Sequence, residues 1–331
     1  MMRFHFGRMT GCARAQFLVS GGSAGDDAGV FSFPARPPHV RQRHGGRRRL
    51  VLTAAVAAVA AGVTAALTVH PLRSPAPRTL TVATWNMCGV RQWTCAGTGS
   101  PERKQRALTG LVRDSGVRVV LLQEACAGDV AAVRRSLGTS WHTAFRPYLE
   151  RDALGRTTPV RCAEAAQGEA GYAILAGYAL ASPTSVPAQQ PTVGVTRGIL
   201  CATLEAPGIR VCDAHLSPAH SDAAHPGWDF RDDQLKALAA AVPSRRTVYG
   251  GDLNVSPPGP RNPASWVWPA GPYTRQRECA QTSATSRAGR PTHASGHKLD
   301  YLFTGLKRTR CTVRDLNASD HSALLMRVRT G

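Results

Sequence analysis

Six short polar sequences in this chain gather carboxylates, side-chain amides and imidazoles, and they run in one order. They are Trp85-Asn86, Gln123-Glu124, His215-Leu216, Gly251-Asp252-Leu253-Asn254, Leu299-Asp300-Tyr301 and Ser319-Asp320-His321. Glu124, Asp252, Asp300 and Asp320 bring carboxylates, and Asn86 and Asn254 bring side-chain amides. The imidazoles of His215 and His321 add groups that exchange protons near neutral pH. Such a set suits metal-assisted hydrolysis of a charged ester, in which a cation neutralises oxygen charge, a carboxylate handles an attacking water and a histidine serves the leaving group. Each sequence alone says little, because a Glu after an apolar strand usually marks only its solvated end. Six of them at successive strand termini say more, since loops at strand ends converge on one rim.

The elements that must position these residues are legible in part. Thr79–Trp85 alternates apolar and small polar residues, as a strand does. Ser100 is a good N-cap followed by Pro101 at the first helical position, and Gly116 is a natural stop. Val117–Leu122 reads as a buried strand. Further strands are expected at Ala144–Leu149, Tyr172–Ala176, Gly198–Glu205, Ile209–Leu216, Arg246–Gly250, Leu299–Phe303 and Ser322–Val328, with a helix over Asp229–Ala241. Hairpins mixed with helices predict an α/β fold of packed sheets flanked by helices.

The ordered set resembles the endonuclease/exonuclease/phosphatase superfamily, the group that contains DNase I-like nucleases and neutral sphingomyelinases. The resemblance spans residues 79–329, and its most specific parts are the GDLN box at Gly251–Asn254 and the SDH box at Ser319–His321. It implies a four-layer α/β sandwich of two mixed sheets, hydrolysis of phosphoester bonds and a divalent metal, Mg²⁺ with Mn²⁺ or Ca²⁺ as alternatives. By position, it assigns Glu124, Asp320 and Asn86 to the metal site. Asp252 becomes the residue that holds the attacking water, and Asn254 a phosphate contact. His321 meets the phosphate with Asp300 as its carboxylate partner, and His215 is a second catalytic histidine. Arg197 is a candidate phosphate contact. Two positions depart from the family pattern: Tyr172 follows Gly171 where Asn is frequent, and Asp213 stands where Asn is frequent. Arg231 and Gln234 fit a structural helix pattern; Trp266 and Trp268 read first as rim packing and second as base-stacking or lipid-touching, and His293 and His297 first as solvated loop residues and second as substrate contacts.

The 331 residues hold 41 Lys+Arg against 21 Asp+Glu, a formal +20. Only four of those cations are Lys, so a genome that favours Arg accounts for part of the excess. A hydrophobic content of 43% excludes wholesale disorder. Residues 1–70 carry nine Arg and two Asp, a net +7, which leaves +13 for residues 71–331. Residues 1–49 read as a disordered basic tail or a misassigned start. Arg47–Arg49 precede an uncharged stretch at residues 50–69, long enough for a membrane-spanning or signal helix with the later chain outside. Residues 70–78 form a Pro-rich linker, and 79–331 the catalytic domain. Eight of the nine cysteines follow residue 70, an even number that predicts up to four disulfides. Folding the strands on either side of Ala206-Pro207-Gly208 into a hairpin places Cys201 opposite Cys212. Cys88 with Cys95 is a local pair, and Cys126 with Cys162 and Cys279 with Cys311 remain.

The reading is therefore a monomeric, exported or membrane-anchored phosphodiesterase, with nucleic acid as first substrate. A phospholipase C-like enzyme on sphingomyelin and a catalytically inactive polyanion-binding domain are the rivals.

Overall fold

The computed structural model describes residues 78–331 apart from 91, 92, 94 and 96. The apolar stretch at 50–69 and the basic tail before it lie outside the described residues. Among the described residues no helix is long and apolar enough to cross a membrane.

The chain opens with β1 (Thr79–Asn86), α1 (Pro101–Ser115), β2 (Val119–Cys126), α2 (Ala127–Leu137) and β3 (His142–Pro147). Then come β4 (Leu149–Arg151), β5 (Thr157–Pro159), β6 (Ala170–Ala176), β7 (Leu180–Val186), β8 (Gly194–Thr196) and β9 (Gly198–Leu204). The remainder is β10 (Ile209–His215), α3 (Arg231–Ala241), β11 (Thr247–Asp252), α4 (Pro272–Arg275), β12 (Arg277–Glu278), β13 (Asp300–Thr304), β14 (Arg308–Arg314) and β15 (Ala323–Arg329).

Two six-stranded sheets form the body, ordered β14-β15-β1-β2-β6-β3 and β12-β13-β11-β10-β9-β7, with a small sheet β5-β4-β8 beside them. Both large sheets are mixed: β1 pairs in parallel with β2, and β10 with β11. Alternation along the strands sets the layers. Leu80, Val82, Val119, Leu121, Val211, Val248 and Leu302 share one core between the sheets. Ala83, Trp85, Val120 and Leu122 point the other way, onto Leu108 and Leu111 of α1 and Val130 and Val133 of α2. Cys212, Ala214, Tyr249 and Phe303 face Leu235 and Leu238 of α3. Helices, sheet, sheet and helix give the four-layer α/β sandwich.

Ser100 caps α1 by accepting from the backbone N–H of Arg103, and Gly116 closes it in the left-handed region at φ 61°. Several elements differ from the sequence reading. β2 runs on to Cys126, so Gln123 and Glu124 lie within the strand. Ala144–Leu149 splits into β3 and β4, because Tyr148 leaves the ladder to bond Val160 and Ala170. α2, β7 and β14, and the short β5, β8, β12 and α4, are absent from the sequence reading. α2 starts directly at the end of β2 with no side-chain cap. β7 and β14 are sheet-edge strands: β7 is mostly exposed and rich in Ser and Thr, and β14 is rich in Arg, with only Cys311 and Val313 turned to the core.

All four disulfides are present: Cys88–Cys95, Cys126–Cys162, Cys201–Cys212 and Cys279–Cys311. Cys201 and Cys212 are direct partners in the β9–β10 register, as the hairpin requires.

Candidate active site

The strands facing the inter-sheet core are apolar along most of their length and polar at one end. Thr84 and Asn86 end the inner row of β1, Gln123 that of β2, Asp213 and His215 that of β10, and Asp252 that of β11. Asp300 begins β13. The register explains why they meet: His215 lies opposite Asp252, and Asp252 opposite Asp300, across three neighbouring strands. Asn86 lies opposite Gln123 in the other sheet. The two polar rows close on each other at one mouth of the sandwich, where Asn86 Nδ2 donates to Asp252 Oδ2 at 3.1 Å and to Glu124 Oε1 at 3.2 Å. Deeper in, Gln123 Nε2 donates to Asp213 Oδ1 at 2.5 Å.

Local backbone features aim these groups. Glu124 has φ +48°, at a register irregularity between Leu122 and Ala125, so the strand turns its carboxylate into the mouth. A non-glycine residue there stores strain, a frequent property of functional positions. Asn254 has φ +50°. Its N–H bonds Asp252 Oδ1, its Nδ2 bonds the Leu216 carbonyl, and Arg231 Nη1 holds its own carbonyl at 2.7 Å. Arg231, ion-paired to Asp229 at 2.5 Å, thus fixes the loop after β11. Gln234 does the same for the loop after β10, through Ser217. Gly250 and Gly251 let β11 pass between its neighbours. A Cβ on Gly251 (φ +138°) would stand 1.8 Å from the Ala214 carbonyl oxygen, and one on Gly250 1.8 Å from that of Tyr301.

The two histidines of the site sit in opposite electrostatic settings. Burial would lower the His321 pKa, but Asp300 at 2.8 Å from its Nδ1 and Asp252 at 3.7 Å from its Nε2 hold it up to about 10. His321 is an imidazolium. His215 is pushed well below the ordinary value by burial, then by the cations Arg197 and His321. It is neutral, and its tautomer follows from its partner. The Tyr148 hydroxyl accepts from the Glu124 N–H at 2.9 Å and lies 2.6 Å from His215 Nδ1. The hydroxyl proton therefore goes to Nδ1, and the ring proton sits on Nε2, 3.5 Å from Asp252 Oδ2. Asp252 stands between a cationic and a neutral imidazole.

Burial raises Glu124 to about 7 and raises Asp252 as well. Two buried carboxylates bridged by a single amide carry more negative charge than the amide offsets. His215 Nε2 and Asp300 Oδ1 are buried without a hydrogen-bond partner. The donors are oxygens of the kind Mg²⁺ takes, so the residues present fit a divalent cation held by Glu124, with Asn86 and Asp252 beside it. Asp320 joins a neighbouring group with His293 and His321, their ligand atoms within 4.8 Å of one another.

Arg197 flanks the site, its guanidinium over the Trp93 ring at 5.1 Å and its Nε buried without a hydrogen-bond partner. Tyr172 is buried and stacks on Tyr148 at 5.6 Å. Trp268 is packed against Tyr273, Tyr301 and Phe303, whereas Trp266 is 61% exposed. His297 stays in the exposed loop, but His293 does not: its Nε2 lies 3.4 Å from Asp320 Oδ2, and its backbone bridges His321. Sequence reasoning also missed Tyr148, Ser319 and Lys104. Ser319 Oγ donates to the Asn86 carbonyl and accepts from the His321 N–H. Lys104 is buried, and its Nζ bonds Met87 O, Thr98 Oγ1 and Ala318 O, tying α1 to both site loops. Burial lowers its pKa to about 8. Ser319 belongs to the SDH box, and a Lys at the buried edge of an amphipathic helix is a visible anomaly. A Tyr between two short strands gives no such signal.

A family model described as Endonuclease/Exonuclease/phosphatase family matches residues 83–321. Among solved structures, an endonuclease/exonuclease/phosphatase from Beutenbergia cavernae DSM 12333 is similar at TM-score 0.55 and 20% identity, over 77% of this chain and 72% of that one. D. rerio TDP2 complexed with single strand DNA product gives 0.53 at 15% identity, over 76% and 99%. The 3'-5' exonuclease NExo from Neisseria meningitidis gives 0.52 at 13% identity, over 76% and 100%. At these identities the likeness is one of fold. Comparison with curated proteins gives no match.

Proposed function

The chain belongs to the endonuclease/exonuclease/phosphatase family, whose members are hydrolases of phosphoester bonds that generally use divalent metal ions, and from that premise we propose that it is a Mg²⁺-dependent phosphodiesterase that cleaves nucleic acid internally. The observation that carries this reading is Asp252 held between the His321 and His215 imidazoles, with Glu124 joined to it through Asn86.

A bound cation supplies charge neutralisation at the phosphate oxygens. The rest falls to the chain. Asp252, fixed by Asn86 and by the Asn254 N–H, orients the attacking water and takes its proton. As the new P–O bond forms and the ester P–O bond breaks, the His321 imidazolium, held in place by Asp300, stabilises the developing charge and gives its proton to the departing ester oxygen. His215 presents a fixed N–H to the same region. Arg197 and Asn254 bind the flanking phosphate oxygens.

Four closed disulfides support export of this domain, with the stretch at 50–69 as signal or anchor. In intact cells, the domain is then digested by added protease, and a protected domain removes export from the reading.

Full-length protein incubated with Mg²⁺ should nick plasmid DNA or cleave RNA, and Asp252→Ala and His321→Ala should each abolish this. Activity that survives both substitutions would show the site to be wrong. Cleavage of sphingomyelin vesicles alone would replace the nucleic-acid reading with the lipid one. DNA binding without cleavage in the presence of metal would leave a binding domain.

A further inference from the structure

Residues 274–331 hold eleven Lys and Arg against four acids, two of which, Glu278 and Asp300, are buried. The surplus is not scattered. Three neighbouring clefts follow the β12–β14–β15 flank. The first is lined by Arg277, Lys307 and Arg308, the next by Arg308 and Arg310, and the third by Arg310, Arg314 and Arg327 with Asp114 as its one acid. Shared Arg308 and Arg310 make them one track. All of these cations but the half-buried Arg308 are exposed.

Three features separate this track from a mere Arg-rich composition. First, none of its six cations is ion-paired among the described residues. Arg314 and Arg327 bond only the hydroxyls of Ser115 and Thr79, and Arg308 only the carbonyls of Glu278 and Cys279. Around α3, by contrast, Arg231 pairs with Asp229, and Lys236 with Asp232 and Asp233. Second, Arg310 lies directly opposite Arg327 in the β14–β15 register. Like charges at that position destabilise a sheet unless an anion lies between them. Third, the middle cleft reaches Arg290, at the start of the loop that carries His293 to His321. The track therefore leads away from the mouth of the site.

We propose that the β12–β14–β15 flank is a backbone-binding track for a nucleic-acid strand whose scissile phosphate lies in the active site. Successive guanidinium groups along one edge match the repeated charges of a polyphosphate chain and read no base. The inference rests on the nucleic-acid reading above and adds that the substrate is long.

The test is the triple variant Arg310→Gln/Arg314→Gln/Arg327→Gln in the full-length protein. Two substrates are used with Mg²⁺, plasmid-length DNA and bis(p-nitrophenyl) phosphate, together with anisotropy binding of a labelled 40-mer in Ca²⁺ and with binding to phosphatidylglycerol vesicles. For DNA, KM should rise about tenfold or more with kcat little changed, and the slope of log affinity against log salt should shrink by about 2.7, near 0.9 per lost phosphate contact. Turnover of the small diester should stay within about twofold, and the melting temperature should not fall, because the Arg310–Arg327 repulsion is removed. An unchanged DNA affinity and salt slope overturns the track. Loss of vesicle binding with DNA binding intact assigns the flank to a lipid surface and also overturns it. The binding arm is independent of turnover: if the wild type cleaves neither substrate, the functional reading fails while the track is still decided.

Discussion

Asp252 is the residue on which the site's charge balance turns, because its two imidazole neighbours differ in protonation. That difference has consequences at single positions. Asp300→Asn removes the carboxylate that keeps His321 cationic, and kcat at pH 7.5 should fall by about 10²- to 10⁴-fold. His321 has a folded pKa of about 10, above its ordinary value of 6.5. The stability it contributes is therefore complete below about pH 6.5 and lost as pH rises through 10. Thermal unfolding of the wild type should weaken over that window more than unfolding of Asp300→Asn does. Tyr148→Phe strands His215 Nδ1 and the Glu124 N–H together. A drop in activity of about 10- to 100-fold is expected, by analogy with lost partners of metal ligands. Glu124 titrates near 7 without a cation, so Mg²⁺ binding must displace its proton. Calorimetry in buffers of different ionisation enthalpy should show close to one proton released below pH 7 and none well above it. The acids and histidines of this arrangement were legible as motifs. Tyr148 and His293 were not, because their roles come from chain path: a Tyr between β3 and β4 meets His215, and a loop imidazole meets Asp320.

At the scale of elements, the site depends on close backbone approach and on a buried cation. Gly251→Ala forces a methyl group into the Ala214 carbonyl between two central strands. The variant should lose about 3 kcal/mol or more, or fail to fold, as read from the urea midpoint. Lys104→Met leaves three oxygens of the segments around α1, on Met87, Thr98 and Ala318, without their donor, at a cost of about 2–4 kcal/mol. Mg²⁺ affinity should fall with it, since Met87 and Ala318 adjoin the segments that carry Asn86 and Asp320. Interior strands and α1 could be read from sequence because burial imposes alternation and the Ser100 cap announces the helix start; α3 has no such cap and was legible only as an apolar helical pattern. The missed elements escape both rules. α2 begins without a capping side chain, β7 is an edge strand largely open to solvent, and β14 is an Arg-rich edge strand with only Cys311 and Val313 against the core.

At the scale of the whole molecule, disulfides carry a substantial share of the stability. Cys126–Cys162 closes a separation of 36 residues, worth about 3–4 kcal/mol on the chain-entropy account, and Cys126→Ser should lower the melting temperature accordingly. The pairing has a simpler property as well. Every cysteine after residue 70 joins the next one along the chain, and no bridge spans another. A chain that meets an oxidant from its N-terminal end can close each bridge before the next cysteine arrives. Correct pairing then follows from the order of synthesis, and no helper that reshuffles wrong bridges is required.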